Sequence, residues 1–529
     1  MSRWSATNGS RRRVAPSGPP RRRLQRVLLG FGAFTALAVA APAAVAVTEQ
    51  APVPASSVSA VSALPAATLP PADPTPPSIS PVPLAPQGRD GSGAQVARSS
   101  TPLQLVAVTW TGPDPDTISL RSTDDSGAWG AWLPLDANSD ERDAQDAQRT
   151  AATGSRSSAP APGGTDPVWV GDKRAVEVRA TRGGKAVTDG LAVQRIDPGT
   201  SGNDEAIGAR ARERQTAARD GAPVAPAYVT RAQWGADEGM MTWPPEYSPT
   251  TKAVTIHHTA ESNDYSPEQA AAIVRGIYAY HAKKNGWGDI GYNALVDKYG
   301  TIYEGRAGGM DRPVIAAHAG GFNRETFGIA MMGNLSDVAP TPAELTSVEK
   351  LAAWKLGGMY RDSAAKVTLT SNGGGTSKFA KGSQATVDAV FAHRDVGNTA
   401  CPGNAGFAAM DTIRAEVNKL VAAAGTDVRA AWADRPDLGD PDRVEQATAD
   451  GRGRFTDFAH GSVYWSPDTG AHELSGPILD AWRARGADRS ELGLPTGEEF
   501  TTAAGRAQAF ERGVLRWDRT SGATSITPS

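Results

Sequence analysis

From Thr48 to about Ser100 the chain is built of Pro, Ala, Ser and Val with almost no periodic apolar pattern. Such a stretch buries too little apolar surface to offset the entropy of ordering itself, so residues 47–100 are expected to form a disordered linker. Every packed core must then lie beyond it. The 529 residues of the whole chain exceed what one core supports, and at roughly 100–200 residues per domain about three units plus linkers are expected.

Ahead of the linker, Arg21, Arg22, Arg23 and Arg26 form a positive region, and Val27 to Ala41 is an apolar run. Ala44-Val45-Ala46 fits an A-x-A cleavage site, so residues 1–46 read as a signal peptide. The run is shorter than the ~20 residues of a membrane span, and no span is expected once the signal is cleaved, an uncleaved anchor being the alternative. Arg21-Arg22 also fits a loose twin-arginine pattern, so both export routes stay open. The protein is expected to be secreted or held in the cell wall. A formal net charge of −3 leaves no basic excess, which excludes nucleic acid as the expected partner.

Alternating apolar positions begin at Leu103 to Trp110 and continue in Ile118 to Thr123 and Val176 to Thr181. The last two share the pattern apolar-x-apolar-Arg-x-Thr. A small antiparallel β-domain over 101–198, with a polar insert, is the expected product. Its Trp129, Trp132 and Trp169 are read as core or edge packing rather than as a sugar-stacking platform. A polar segment over 199–226 reads as a second linker.

Residues 227–426 mix strand and helix signals. Ser266-Pro267-Glu268-Gln269 and Thr341-Pro342-Ala343-Glu344 are helix starts, each followed by apolar residues at helical spacing. Asp297-Lys298-Tyr299-Gly300 between two apolar runs reads as a hairpin turn. A mixed sheet flanked by helices is expected. After it, Phe458, Gly461 and Trp465 recur as Phe510, Gly513 and Trp517, each 52 residues on, so residues 436–529 are expected to be paired repeats.

The chemistry concentrates in the α/β segment, which holds five of the seven histidines and the single cysteine, Cys401. One cysteine cannot form an intramolecular bridge, and a lone thiol outside the cell is a candidate for metal or catalysis. On the strand ending at His257-His258 side chains alternate faces, so only one of the two aims easily at a given site. Val254 and Ile256 share the parity of His258, which leaves His257 for the open face and His258 as a hydrogen-bonded structural residue. His393 ends a second strand-like run, and eight residues of loop return the chain at Cys401. Two imidazoles and one thiolate suit tetrahedral zinc and leave the fourth position open, as catalytic zinc requires.

Several strings resemble the zinc-dependent N-acetylmuramoyl-L-alanine amidases that share a fold with peptidoglycan recognition proteins. They are TRAQWGAD (230–237), VTIHHTA (254–260), NGWGDIGYNALVDKYGTIYEGRAGG (285–309), AAHAGGFN (316–323), GIAMMGN (328–334) and AHRDVGNTACPG (392–403). The resemblance implies Zn2+ at His257, His393 and Cys401, in agreement with the parity argument, and places Tyr292 in the cleft beside the metal. Phage members of the family have a lysine two residues before the cysteine; here Thr399 stands there, as in many active recognition-protein amidases. Tyr292 is the expected oxyanion donor, with Thr399 a weaker second one, and Arg306 and Asn323 are candidate glycopeptide contacts. The implied reaction is hydrolysis of the amide between the lactyl group of N-acetylmuramic acid and L-alanine of the stem peptide. A protein that binds or anchors peptidoglycan without cutting it is the alternative.

The C-terminal repeats resemble LGFP repeats of cell-envelope proteins, which implies an envelope polymer as a second partner. As a binding module they are expected to be separable, so that truncation before about Arg435 leaves cleavage of a soluble muropeptide nearly unchanged.

Overall fold

The computed structural model describes residues 69–70, 74–86, 93–124, 126–138, 141–144, 163–216, 225–423 and 425–529. The expected signal peptide and the first part of the expected linker lie outside the described residues.

The N-terminal β-domain is two antiparallel sheets laid face to face. One runs in the order Ser78–Val82, Leu191–Asp197, Gln104–Trp110, Gly163–Thr165, Ala137–Asn138; the other runs Leu84–Pro86, Gln95–Arg98, Ala175–Arg182, Thr117–Ser122, Leu133–Leu135. Their inner faces meet through Val106, Val108 and Trp110 on one side and Ile118, Leu120, Val176 and Val178 on the other. The Gln104–Trp110 strand also buries its opposite face, because Leu105 and Ala107 pack into the core of the next domain. That double burial explains why its sequence is nearly continuously apolar.

Two expected linkers are corrected. Strands Ser78–Val82, Leu84–Pro86 and Gln95–Arg98 fall inside 47–100. They are short: Ser78–Val82 and Gln95–Arg98 are ordered by pairing with the long strands Leu191–Asp197 and Ala175–Arg182, partners some eighty to a hundred and twenty residues away that local composition does not reveal, and Leu84–Pro86 pairs in turn with Gln95–Arg98. A helix, Asp204–Thr216, occupies the expected 199–226 linker. It is tied down by an ion pair, 2.7 Å, between the half-buried Asp204 Oδ2 and the buried Arg275 of the central domain. Of the three tryptophans, Trp169 is buried in the core shared between the domains, whereas Trp129 and Trp132 are half-buried, with Arg121 over both rings and Arg179 over that of Trp132.

The central domain has a five-stranded sheet in the order Ile302–Glu304, Ala294–Val296, Thr326–Met331, Ala253–His258, Val390–Ala392. All neighbours are parallel except the hairpin formed by the first two. Asp297 holds that hairpin's turn by accepting from the amides of Tyr299 and Thr301. Helices Pro342–Gly358 and Met410–Ala422 cover one face through Val348, Leu351, Ile413 and Val417. Helix Ala270–Ala279 covers the other and is itself covered by the β-domain. Gly276 permits this close approach, since a Cβ there would stand 2.9 Å from Leu105. The Thr341 capping box forms as expected, with Pro342 in the first turn. The other helix begins at Ala270, because Ser266 and Gln269 close a separate turn before it.

Each C-terminal repeat is a short helix on a four-stranded antiparallel sheet. The first helix, Asp427–Ala433, corresponds to Gly476–Arg483, and Trp432 Nε1 donates to Gly439 O as Trp482 Nε1 donates to Gly493 O. The first repeat therefore starts upstream of residue 436. It also contacts the central domain: Val444 is buried in the central core, and Tyr360 of the central domain donates to Glu445 Oε2 at 2.8 Å.

Candidate metal centre

Parallel pairing brings the two histidines together. Ile256 is the register partner of Ala392, so the next residues, His257 and His393, emerge side by side at the carboxyl ends of adjacent strands, where ligands of α/β sheets bind. Their rings lie 4.6 Å apart. Asp395 accepts from Ala392 N at 2.9 Å and stops the strand with a helical turn, His393–Val396. Arg394 N donates to Cys401 O at 3.0 Å and folds the loop back. Thr399 Oγ1 accepts from Cys401 N at 3.1 Å and orients the loop's last turn.

The result is a cluster in which one ligand atom each of His257, His393 and Cys401 lies within 4.8 Å of the others, all three residues buried. Cys401 Sγ is 3.7 Å from His257 Nδ1, close to the ~3.5 Å edge of a tetrahedron with zinc–nitrogen and zinc–sulfur bonds of about 2.0 and 2.3 Å. Burial, with His393 and His318 adding to it, pushes His257 well below its usual range and keeps the imidazole neutral, its ligating form. Burial likewise raises the Cys401 thiol, opposed by the His258 amide at 3.4 Å. A divalent metal would displace that thiol proton. The donor set fits zinc.

His258 turns the other way, as parity requires, and its Nδ1 accepts from Leu335 N at 3.1 Å. His318 joins the group from AAHAGGFN, a string noted for its resemblance without this residue being singled out. Its Nδ1 stands 3.0 Å from His257 Nε2, and burial lowers it to about 3, so the neutral pair fixes the His257 ring by a hydrogen bond. Tyr292 lies with its ring 5.5 Å from that of His257, and burial raises its hydroxyl well above the usual range, which keeps it a donor.

A cavity of about 50 Å³ adjoins the cluster, lined by His257, Tyr292 and His318 of the central domain and by Asp136, Glu141 and Asp166 of the β-domain. Local patterning carries no signal for these three carboxylates, because they reach the site only through domain packing. Arg306 does not line the cavity; its guanidinium donates to the carbonyls of Ile290 and Trp287. Asn323 is fully buried behind it, accepting from His318 N and Ala319 N and donating to Glu141 O and Asp143 Oδ1. The sequence placed both among glycopeptide contacts; the geometry makes them supports of the surrounding loops.

Three family models match the chain. They are described as Rv3811 N-terminal galactose-binding domain-like over 63–223, N-acetylmuramoyl-L-alanine amidase over 247–404, and LGFP repeat over 438–490. Peptidoglycan-recognition protein SC2 of Drosophila simulans is 30% identical over 177 residues, 33% of this chain and 79% of that protein. The human N-acetylmuramoyl-L-alanine amidase is 31% identical over 156 residues, covering 29% of this chain and 22% of that one. Among solved structures, wild-type Drosophila PGRP-LB is 27% identical, covering 35% of this chain and 92% of that one at a TM-score of 0.28.

Proposed function

The chain belongs to the peptidoglycan recognition protein family through its central domain, and on that premise we propose that it is a zinc-dependent peptidoglycan hydrolase. The bond cut is the amide between the lactyl group of N-acetylmuramic acid and L-alanine of the stem peptide. The observation that carries this reading is the set His257, His393 and Cys401 gathered at one point, since a three-ligand N/N/S site keeps a position open for chemistry.

Bound there, zinc supplies Lewis acidity toward a carbonyl and acidifies water to a pKa near 7. The chain's own groups do the rest. Tyr292 presents a protonated hydroxyl beside the cluster and donates to the oxygen on which charge develops, an interaction typically worth ~3–4 kcal/mol. Thr399 accepts from Cys401 N and directs its own proton at Asp136 Oδ2, 3.5 Å away, so it serves as a second, weaker donor once that carboxylate gives way to substrate. His318 holds the His257 ring in one orientation.

The protein acts outside the cell, secreted or in the wall, with the repeats holding an envelope polymer. Among the described residues no helix is long and apolar enough to cross a membrane. Mass analysis of products from purified peptidoglycan tests the reaction: free lactyl on muramic acid and a peptide beginning at L-alanine are expected. Chelation should abolish their release and zinc restore it. Tight binding without products would leave recognition or anchoring as the function.

A further inference from the structure

The metal centre lies under a cover supplied by the chain itself. Glu141 Oε2 stands 3.5 Å from His393 Nε2, and it accepts from Gly320 N (2.9 Å) and Thr376 Oγ1 (2.7 Å). Asp143 Oδ1 accepts from Gly321 N and Asn323 Nδ2, each at 3.0 Å. Ala144 N adds a bond to Gly373 O at 2.8 Å. Glu141, Arg142 and Asp143 are all buried in this position. On the other side of the cluster Asp136 Oδ2 lies 3.5 Å from Thr399 Oγ1.

What remains beside the ligands is about 50 Å³. That is room for a few waters, each needing ~10–15 Å³ by the same measure, and far below the ~300–1,000 Å³ of a cleft that holds an organic ligand. A glycopeptide cannot reach the cluster while Glu141–Asp143 is docked.

The attachment has two parts of different chemistry. The β-domain itself is joined to the central domain by apolar packing of Leu105, Ala107, Trp169 and Ile196 on the Ala270–Ala279 helix. Glu141–Asp143 is held by hydrogen bonds to loop amides and polar side chains and by the Arg324–Asp143 ion pair at 3.9 Å, and water or an incoming ligand can replace those. The segment can therefore leave while the domain stays.

We propose that Glu141–Asp143 is an autoinhibitory contact: an acidic segment of the β-domain occupies the substrate cleft over the metal centre and must withdraw before a peptidoglycan stem enters. The idea rests on the hydrolase reading for its consequence but not for its test. Cys401 is the chain's only cysteine, so its modification by a thiol reagent reports access to the cluster without metal or catalysis. In metal-free full-length protein, Asp143→Ala should speed reaction of Cys401 with dithionitrobenzoate at least tenfold. A second arm uses a staple, because a Cβ at Gly373 would lie 3.6 Å from Ala144 Cβ, within disulfide range. Gly373 sits at φ +70° and its Cβ would also lie 3.1 Å from Lys381 Cβ, so the oxidised form is used once mass analysis shows the bond. In zinc-loaded full-length protein with Ala144→Cys and Gly373→Cys, release of zinc to pyridylazoresorcinol should be at least tenfold slower oxidised than reduced. Muropeptide cleavage should follow the same order.

Equal zinc release from oxidised and reduced staple would overturn the proposal, even if Asp143→Ala fails to fold. So would unchanged Cys401 reactivity in a folded Asp143→Ala protein. If access changes as expected but no form cleaves muropeptide, the cover stands and the hydrolase reading falls.

Discussion

Cys401 Sγ lies 3.7 Å from His257 Nδ1 although 144 residues separate them in the chain. The approach requires the parallel pairing of the Ala253–His258 and Val390–Ala392 strands and the loop that Thr399 and Arg394 close. Replacing the sulfur should therefore disable the site without undoing its scaffold. Cys401→Ala should bind zinc poorly and lose hydrolysis while keeping its circular dichroism spectrum. Full activity in this protein would remove Cys401 from the ligand set.

In the proposed reaction Tyr292 acts through its hydroxyl alone. Tyr292→Phe keeps the buried ring beside His257 and removes only the donor, so zinc content should be unchanged while kcat falls roughly 10²–10³-fold. A wild-type rate would show that the ring merely packs.

His318 is wedged against the backbone of Gly328, where a Cβ would come within 2.5 Å of its ring. Gly328→Ala must push the imidazole off His257 Nε2, and loss of such an outer partner typically weakens metal binding 10–100-fold. Competition with a chelator of known affinity measures the shift; an unchanged zinc Kd would show that His318 does not orient its neighbour.

Burial raises Glu344, in the first turn of the Pro342–Gly358 helix, from 4.5 to about 8. The folded state thus holds a proton that the unfolded chain releases above pH ~4.5, so this stability is complete below that value and is lost as pH rises through 8. Glu344→Gln keeps a capping acceptor and does not titrate. Its Tm should fall less between pH 5 and 8 than the parent's. Glu261, raised in the same direction, leaves part of the slope in both.

Val444 fills a gap at Gly358 from the first repeat, its Cγ1 2.2 Å from where a Cβ on that glycine would stand. Truncation before Arg435 removes this side chain and the Tyr360–Glu445 bond, so it should destabilise the central domain, contrary to a modular tail. Val444→Ala isolates the packing part and should lower unfolding free energy by ~1–3 kcal/mol in urea titrations. No change would restore the modular view.

The amino-acid sequence by itself singled out His257, His393 and Cys401, which the fold gathers at one point, the parity that separates His257 from His258, the capped helix at Thr341 and the 52-residue repeat. These depend on neighbours within a strand, a turn or one supersecondary unit, where residue type and spacing constrain geometry directly. The tertiary structure alone decided the rest. Pro-rich segments from Ser78 onward became strands because distant strands had open edges to pair with. Arg306 and Asn323 became loop supports because backbone groups stood within their reach. Val444 joined the central core, and Glu141 came to lie 3.5 Å from His393 across 252 residues of chain. Such contacts follow from how finished domains fit together, and that fit depends on whole surfaces that no local pattern of residues encodes.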